Sequence, residues 1–326
     1  MKLLDSVDFA SKDFLKSHVF NKPAKKAPVR VLFDGSADSE TISLLLDRDL
    51  PKWQVKALSE SNSVQGLVTS KEGPIYVLRP AFYDTDNRIK GHEDKLVSSG
   101  YGRARDVAGQ WLRLTSDPKL GDVSFEFSNV SNEEILGALV GLGLASYRYK
   151  DAVKEKSNWH SKIYFTRDKG SIDEGLIKQA MAMATSMNIG RHVTNAPGGD
   201  LNPESMAQIV KSLFAKKKNV KVDIWGPERL KKEKMGLLLG VGQGSTHGSR
   251  LIHIRYRPPG KSRRVVAIVG KGVTFDTGGL DIKPSSGMRM MKKDMAGSGT
   301  VLALAYYAQA HGLSTPCDFY LAMSEN

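Results

Sequence analysis

Residues 270–299, GKGVTFDTGGLDIKPSSGMRMMKKDMAGSG, hold four lysines and three aspartates among glycines and other small residues. Amines and carboxylates at this density suit two kinds of chemistry. Lysines beside glycines clamp phosphate or carboxylate groups, and aspartates gathered with them can hold a divalent cation. Asp276 and Asp294 are the leading carboxylates, although loop aspartates also serve simply to cap turns and helices. Lys271 stands between Gly270 and Gly272, directly after the apolar run Val265–Gly270. As a metal ligand its amine must be neutral, which requires nearby dications to depress its pKa strongly. The residues by themselves leave the roles of clamp and ligand open.

The elements that must position these groups follow from the pattern around them. A strand over Val265–Gly270, a glycine-rich loop and a helix after Asp294 make the usual layout of an α/β active site, with chemistry at the carboxyl end of the strand. Upstream, Asn202 and Pro203 open a helix over 203–215. Strand Val220–Ile224, helix 227–234 and strand Leu251–Tyr256 follow, and Phe319–Met323 is a last strand. This βα alternation predicts a mostly parallel, mixed sheet. Glu174–Ile189 reads as a helix connecting two domains.

The amino-terminal half is a small α/β domain without a catalytic cluster. Val29–Phe33 is a strand and Ala37–Leu46 a helix; Val64–Leu67 and Ile75–Leu78 form a hairpin. Residues 1–28 are an edge strand or loose arm, and 84–106 are largely loop. Ala108–Leu114 and Val123–Phe127 return to a regular pattern. Ser131 and Glu134 form a capping box for a helix through Ile135–Tyr147, whose glycines imply close packing. Lys162–Thr166 is a further strand. The expected division is 1–170 for the amino-terminal α/β domain and 171–326 for a carboxyl-terminal α/β/α domain.

The run GKG-V-TFDTGG, with Lys283, Met291 and KKDM following at fixed intervals, resembles the metal and catalytic segment of the leucyl aminopeptidases, two-metal cytosolic exopeptidases. Arg191…Thr194-Asn195-Ala196-Pro197…Pro203 and Gly240–Ser245 resemble that family's flanking motifs, and Ala145–Lys150 the end of its amino-terminal domain. The likeness is strong from about residue 145 onward; Gly199 departs from it, standing where asparagine is expected. The resemblance implies that Lys271, Asp276 and Asp294 ligate metal, with Asp276 bridging two ions. It implies a catalytic Lys283 that holds the substrate carbonyl oxygen and the oxyanion formed from it. Met291 would line the pocket for the amino-terminal side chain of a peptide substrate. Two divalent ions (zinc, manganese or magnesium), a carbonate, preference for leucine-like residues and a homohexamer come with the same resemblance. Asp281, Lys292 and Lys293 have no part in it and suit solvated positions. In that family a further segment supplies an Asp, a Glu and a carbonate-anchoring Arg. The sequence given ends at Asn326 before it, so the catalytic domain is expected to be incomplete at its carboxyl end, through cleavage or as part of a longer protein.

Bulk properties narrow the alternatives. At 326 residues with 40% apolar and 25% charged side chains, the chain suits two globular domains. A single cysteine, Cys317, rules out an internal disulfide and fits a reducing compartment. The amino terminus lacks an apolar signal region, and no run approaches the roughly 20 apolar residues that span a bilayer. A cytoplasmic protein with no membrane partner is therefore expected. The net charge of +13 is spread over Lys22/Lys25/Lys26, Lys216–Lys218, Lys231/Lys232/Lys234 and Lys261/Arg263/Arg264. It is compatible with a rival reading, a catalytically incomplete basic paralogue that binds nucleic acid or protein. A third reading is a phosphate-binding α/β enzyme using Lys271 and Lys283. Gly240–Gly244 reads G-x-G-x-G but lacks the third spaced glycine and a following acid, so it is no dinucleotide loop. Gly260-Lys261-Ser262 fails as a P-loop, because Arg255 stands where the first glycine must be. There is no HExxH helix and no GxSxG elbow, and His247 and His253 are isolated, structural or surface residues.

Overall fold

The computed structural model describes residues 19–24, 27, 29–35, 51–60, 63–70, 73–82, 99–115, 121–149, 162–168, 170–260 and 264–326. The helix expected over Ala37–Leu46 and most of the arm 1–28 lie outside them. The chain divides into two compact units, with the division inside one long helix, between Ala184 and Thr185. No helix of the described residues is long and apolar enough to cross a membrane.

The first unit contains β1 (Val19–Phe20), β2 (Val29–Asp34), α1 (Lys52–Ser59), β3 (Gln65–Ser70), β4 (Gly73–Leu78), α2 (Gly100–Leu114), β5 (Val123–Ser128), α3 (Asn132–Ala145) and β6 (Ile163–Arg167). Its sheet has the order β1-β6-β5-β2-β4-β3, so β1 is an edge strand. All its pairings are parallel except the β3–β4 hairpin. An aromatic core lies on it: Phe33 is 5.4 Å from Phe127, and Phe125 is 5.5 Å from Trp111 and 5.3 Å from Phe165. The capping box at α3 is present in both directions, Ser131 Oγ accepting from Glu134 N while Glu134 accepts from Ser131 N. The expectation of loop through residue 106 fails for its described part. Gly100–Asp106 are the first turns of α2, because Ser99 Oγ accepts the Gly102 amide at 3.0 Å and caps the helix despite the glycines at 100 and 102.

Helices α2 and α3 meet backbone to backbone. A Cβ on Gly137 would collide with the carbonyl oxygen of Tyr101, and one on Gly141 with that of Arg105.

The second unit carries the long helix α4 (Glu174–Asn195) to its end, then α5 (Pro203–Leu213), β7 (Val220–Trp225), α6 (Pro227–Lys232), α7 (Gly236–Val241), β8 (Arg250–Tyr256), β9 (Val266–Val273), α8 (Ala296–Tyr307) and β10 (Cys317–Ser324). α4 runs six residues beyond Ile189 and stops just before Pro197. α7 lies between the expected helix 227–234 and strand Leu251–Tyr256, where the sequence reading had assigned no element. At α5, Asn202 Oδ1 accepts from Ser205 N at 2.9 Å with Pro203 in the first turn, as the sequence implied. The sheet order is β7-β8-β10-β9. The sheet is mixed: β9–β10 is parallel, while β7–β8 and β8–β10 are antiparallel. One face packs Ile252, Ile254, Phe319 and Leu321 against Met206, Val210 and Leu302.

At the β7 edge, Asp223 accepts from Trp225 Nε1 at 2.9 Å and from Arg229 Nη1 at 3.1 Å. The Arg229 guanidinium lies 4.1 Å from the Trp225 ring centre. The Trp225 hydrogen bond, and behind it the charges and hydrogen bond of Arg229 and the charge of Arg255, hold the Asp223 carboxyl below its ordinary value, outweighing the opposing effect of burial.

Two outcomes follow. Gly137→Ala or Gly141→Ala will destabilise the chain by about 1–3 kcal/mol in urea denaturation, whereas Gly240→Ala, which faces open space, will be near neutral. Because the Asp223 pKa is depressed by folding, its contribution is present above the unfolded value of about 3.9 and lost as pH falls through the folded value. The melting-temperature gap between the wild type and Asp223→Asn will therefore be open at about pH 6 and close as the pH falls below about 3.9.

Candidate metal and catalytic site

β9 runs alongside the start of α8 at backbone contact. A Cβ on Gly270 would stand 2.6 Å from the Gly297 carbonyl oxygen, and one on Gly272 would stand 2.6 Å from that of Ala322 and 2.7 Å from Ser298 Oγ. Ser298 Oγ donates to the Gly270 carbonyl at 2.9 Å, fully buried. Glycine is required at both positions because the space a side chain needs is already filled. Lys271 does not follow the strand, as the sequence suggested, but lies within it. Pairing with β10 continues through Lys271↔Ala322 to Val273↔Ser324, since the glycines that looked like strand terminators are there for this contact.

Beyond Val273 the backbone keeps pairing with the end of β10. Thr274 N donates to Ser324 O at 2.8 Å, Asn326 N to Phe275 O at 3.0 Å and Thr277 N to Asn326 O at 2.7 Å. The loop then reverses through Gly278 and Gly279, at φ of +102° and +76°, and Lys283 N returns to Thr277 O at 2.9 Å. This reversal places Lys283 Nζ 2.7 Å from Asp276 Oδ2. Asp276 Oδ1 accepts from Asn326 Nδ2 at 2.9 Å and from Gly278 N at 3.0 Å. The Lys283 hydrogen bond, joined by those of Asn326 and Gly278, holds the Asp276 carboxyl below the ordinary carboxylate value against the effect of burial.

Asp294 ends a short 3₁₀ turn, Met291–Lys293, just before α8. Lys271 Nζ lies 3.2 Å from Asp294 Oδ2, close enough for charge contact but not aligned as a hydrogen bond, so that this buried oxygen has no hydrogen-bond donor. Met291 is half-buried on the same turn. Direct contacts thus join Lys271 to Asp294 and Lys283 to Asp276. Asp281 and Lys293 are exposed, as expected. Lys292 is not merely solvated: its Nζ donates at 3.1 Å to the carbonyl of Asn195, the last residue of α4. Cations favour helix carboxyl ends, but the 97 residues between these partners hid the contact from a reading of the sequence. His253 stacks on Tyr320 at 4.3 Å and lies 3.3 Å from Asp318, within the sheet and apart from these groups.

Among the described residues no three His, Cys, Asp or Glu side chains gather to hold a metal ion. The donors that the resemblance nominates are two carboxylates and one amine; Lys271 and Asp294 are in contact with each other, and Asp276 is paired with Lys283. A buried carboxylate oxygen without a donor, as at Asp294, is a position that a cation satisfies.

Residues 188–326 match the catalytic domain of the cytosol aminopeptidase family. The cytosol aminopeptidase of Encephalitozoon cuniculi is 31% identical over 299 residues, covering 86% of this chain and 60% of that protein. The probable cytosol aminopeptidase of Corynebacterium glutamicum is 32% identical over 236 residues, covering 71% of this chain and 47% of that protein. The chain therefore spans about half the length of the curated relatives it matches. Among solved structures, the leucyl aminopeptidase of Trypanosoma brucei in complex with actinonin superposes with a TM-score of 0.71 at 19% identity, covering 100% of this chain and 65% of that one. The bottromycin maturation enzyme BotP in complex with Mn does so with a TM-score of 0.70 at 20% identity, covering 92% and 60%. These structures share the α/β fold described above.

Lys292→Met will cost about 1–2 kcal/mol of stability in urea denaturation by removing the charged hydrogen bond from Lys292 to the carboxyl end of α4. Lys293→Met, one residue on and exposed, will stay within about 0.5 kcal/mol of the wild type.

Proposed function

Residues 188–326 make this chain a member of the cytosol aminopeptidase family, and from that membership we propose that it acts as a metal-dependent aminopeptidase. Its substrates would be peptides, from which it releases leucine-like amino-terminal residues, with the catalytic part in residues 171–326. The observation that carries this reading is the pair of lysine–aspartate contacts formed within residues 271–294, in which a buried oxygen of Asp294 lacks a hydrogen-bond donor. Such a pattern is wasteful in a surface loop and useful in a cation site.

Asp276, Asp294 and Lys271 would hold divalent cations, two in the complete site; zinc, manganese and magnesium all accept carboxylate oxygens, zinc takes a nitrogen donor most readily, and manganese is the ion in the BotP structure. Bound there, such cations polarise the scissile carbonyl and lower the pKa of water. The chain's own residues do the rest. Lys283 is charged and held by Asp276 at 2.7 Å, so its remaining N–H bonds are free to donate to the carbonyl oxygen of a substrate. As that oxygen gains negative charge in the tetrahedral intermediate, the ammonium stabilises it more than it does the ground state. Asp276, with both oxygens engaged, keeps the ammonium from drifting. Met291 offers an unbranched apolar side chain to the first residue of the peptide. The homohexamer and the cytosolic location implied by the family belong to the same reading.

The test is hydrolysis of a leucyl amide by the manganese-loaded chain and by Lys283→Ala. Removing one oxyanion donor will lower kcat by about 10²–10³-fold while bound manganese, measured by atomic absorption, is unchanged. Undiminished hydrolysis by the variant would sink the assignment.

A further inference from the structure

The glycine-rich segment Gly240–Ser249 has no part in the chemistry above, yet it is bonded to the chain directly beside Asp276. Ser249 Oγ donates to the Leu238 carbonyl at 3.0 Å. Its proton is thereby committed, so in the buried 2.9 Å contact between Ser249 Oγ and Ser324 Oγ it is Ser324 that donates. A Cβ on Gly242 would collide with Ser249 Oγ and stand 2.7 Å from Ser324 Oγ, so only glycine admits this pair. One residue on, Ser245 Oγ donates to Glu325 Oε1 at 2.6 Å, and the His247 amide donates to Ser245 Oγ at 3.0 Å. The segment thus grips two successive residues, Ser324 and Glu325. The next residue is Asn326.

Asn326 is locked on three sides. Its N–H and C=O pair with Phe275 and Thr277, the residues flanking Asp276. Its Nδ2 donates to Asp276 Oδ1 at 2.9 Å, and its Oδ1 faces Gly279, where a Cβ would stand 3.1 Å away. Against a carboxylate only the NH₂ side of the amide is attractive, so the side chain has one orientation. With Asn326 Nδ2 and Gly278 N both on Oδ1, the rotation of the Asp276 carboxylate is fixed, and Oδ2 is left to Lys283.

We propose that Asn326 is the positioning residue of Asp276, and that the glycine-rich segment Gly240–Ser249 serves to hold Asn326 in place. The functional weight of this rests on the assignment of Asp276 to the metal site. Asn326 itself touches neither substrate nor metal in this scheme; it acts by fixing which oxygen of Asp276 is presented, in the way outer-shell partners orient metal-ligating carboxylates.

Amide hydrogen exchange on the metal-free full chain tests it. In Asn326→Ala the Gly278 amide, which bonds to the oxygen that Asn326 holds, will exchange about tenfold faster. The Thr277 amide, bonded to the Asn326 backbone oxygen, will keep its rate. Unchanged Gly278 exchange in the folded variant overturns the proposal. Asn326→Asp keeps the size and backbone while removing the donor, and carries the same test should the alanine variant not fold. Ser245→Ala will speed exchange at Thr277 and Gly278 together, and unchanged rates there remove the glycine-rich segment from the scheme. Manganese titration by calorimetry adds the metal side: affinity falls about tenfold or more in Asn326→Ala, and unaltered affinity overturns the positioning role. A wild type that binds no manganese defeats the metal reading, while the Gly278 exchange still decides for or against Asn326.

Discussion

The backbone of β9 passes the first turn of α8 at backbone contact, with the small Ser298 side chain hydrogen-bonded into the gap, and the candidate site depends on that approach. Gly270, Gly272 and Gly297 leave the space that a Cβ would take to carbonyl oxygens and to Ser298. The approach is held by eight consecutive residue pairs of the β9–β10 ladder and by the packing of Leu302 and Ala305 into a core with Phe319 and Leu321. Its consequence is geometric. Lys271, on the strand, and Asp294, on the turn that enters the helix, come within 3.2 Å although 23 residues separate them. The glycines of this region are therefore packing residues first, and only Gly278 and Gly279, with positive φ, act by conformational freedom.

The two aspartates are held differently, and the difference is electrostatic. Asp276 has donors on both oxygens: an amide N–H and a side-chain NH₂ on one, an ammonium on the other. Asp294 has an ammonium nearby and a buried oxygen without a hydrogen bond. Within the two pairs, two carboxylates are matched by two ammonium groups. The weaker of the two contacts is also the more open one. Lys271 is 62% exposed and Lys283 29%. Lys271 reaches Asp294 from the solvent side on a flexible stem, while Lys283 is in close hydrogen-bond contact with Asp276.

What the sequence made legible was local. The Ser131–Glu134 box, the Asn202–Pro203 helix start and the β3–β4 hairpin each depend on residues within a few positions of one another, and each appears as expected. The candidate residues 271–294 were also readable as a group, because their chemistry is unusual for one short loop. The pairing within that group was not readable. Nothing in the spacing says that Lys271 faces Asp294 and Lys283 faces Asp276, since that follows from the turn at Gly278–Gly279 and from the depth at which β9 enters the sheet. The start of α2 was hidden for a related reason: glycines at 100 and 102 argue for loop, and a single cap at Ser99 outweighs them once the helix has a core to lie on. Lys292 and Ser245 were missed because their partners, Asn195 and Glu325, are distant in the chain.

The glycine-rich segment shows most clearly how spacing misleads. As G-x-G-x-G it invites comparison with phosphate-binding loops, in which glycine lets the backbone approach an anion. In this fold Gly240 and Gly244 face open space, and of the three only Gly242 is required by its surroundings. What fills the space of its missing Cβ is a pair of serine hydroxyls, one from β10 and one from Ser249, the residue just before β8. A loop that uses Gly242 to admit two hydroxyls from its own chain has its hydrogen-bonding directed inward. Its function in the fold is mechanical: it fastens the end of the strand from which Asn326 reaches Asp276.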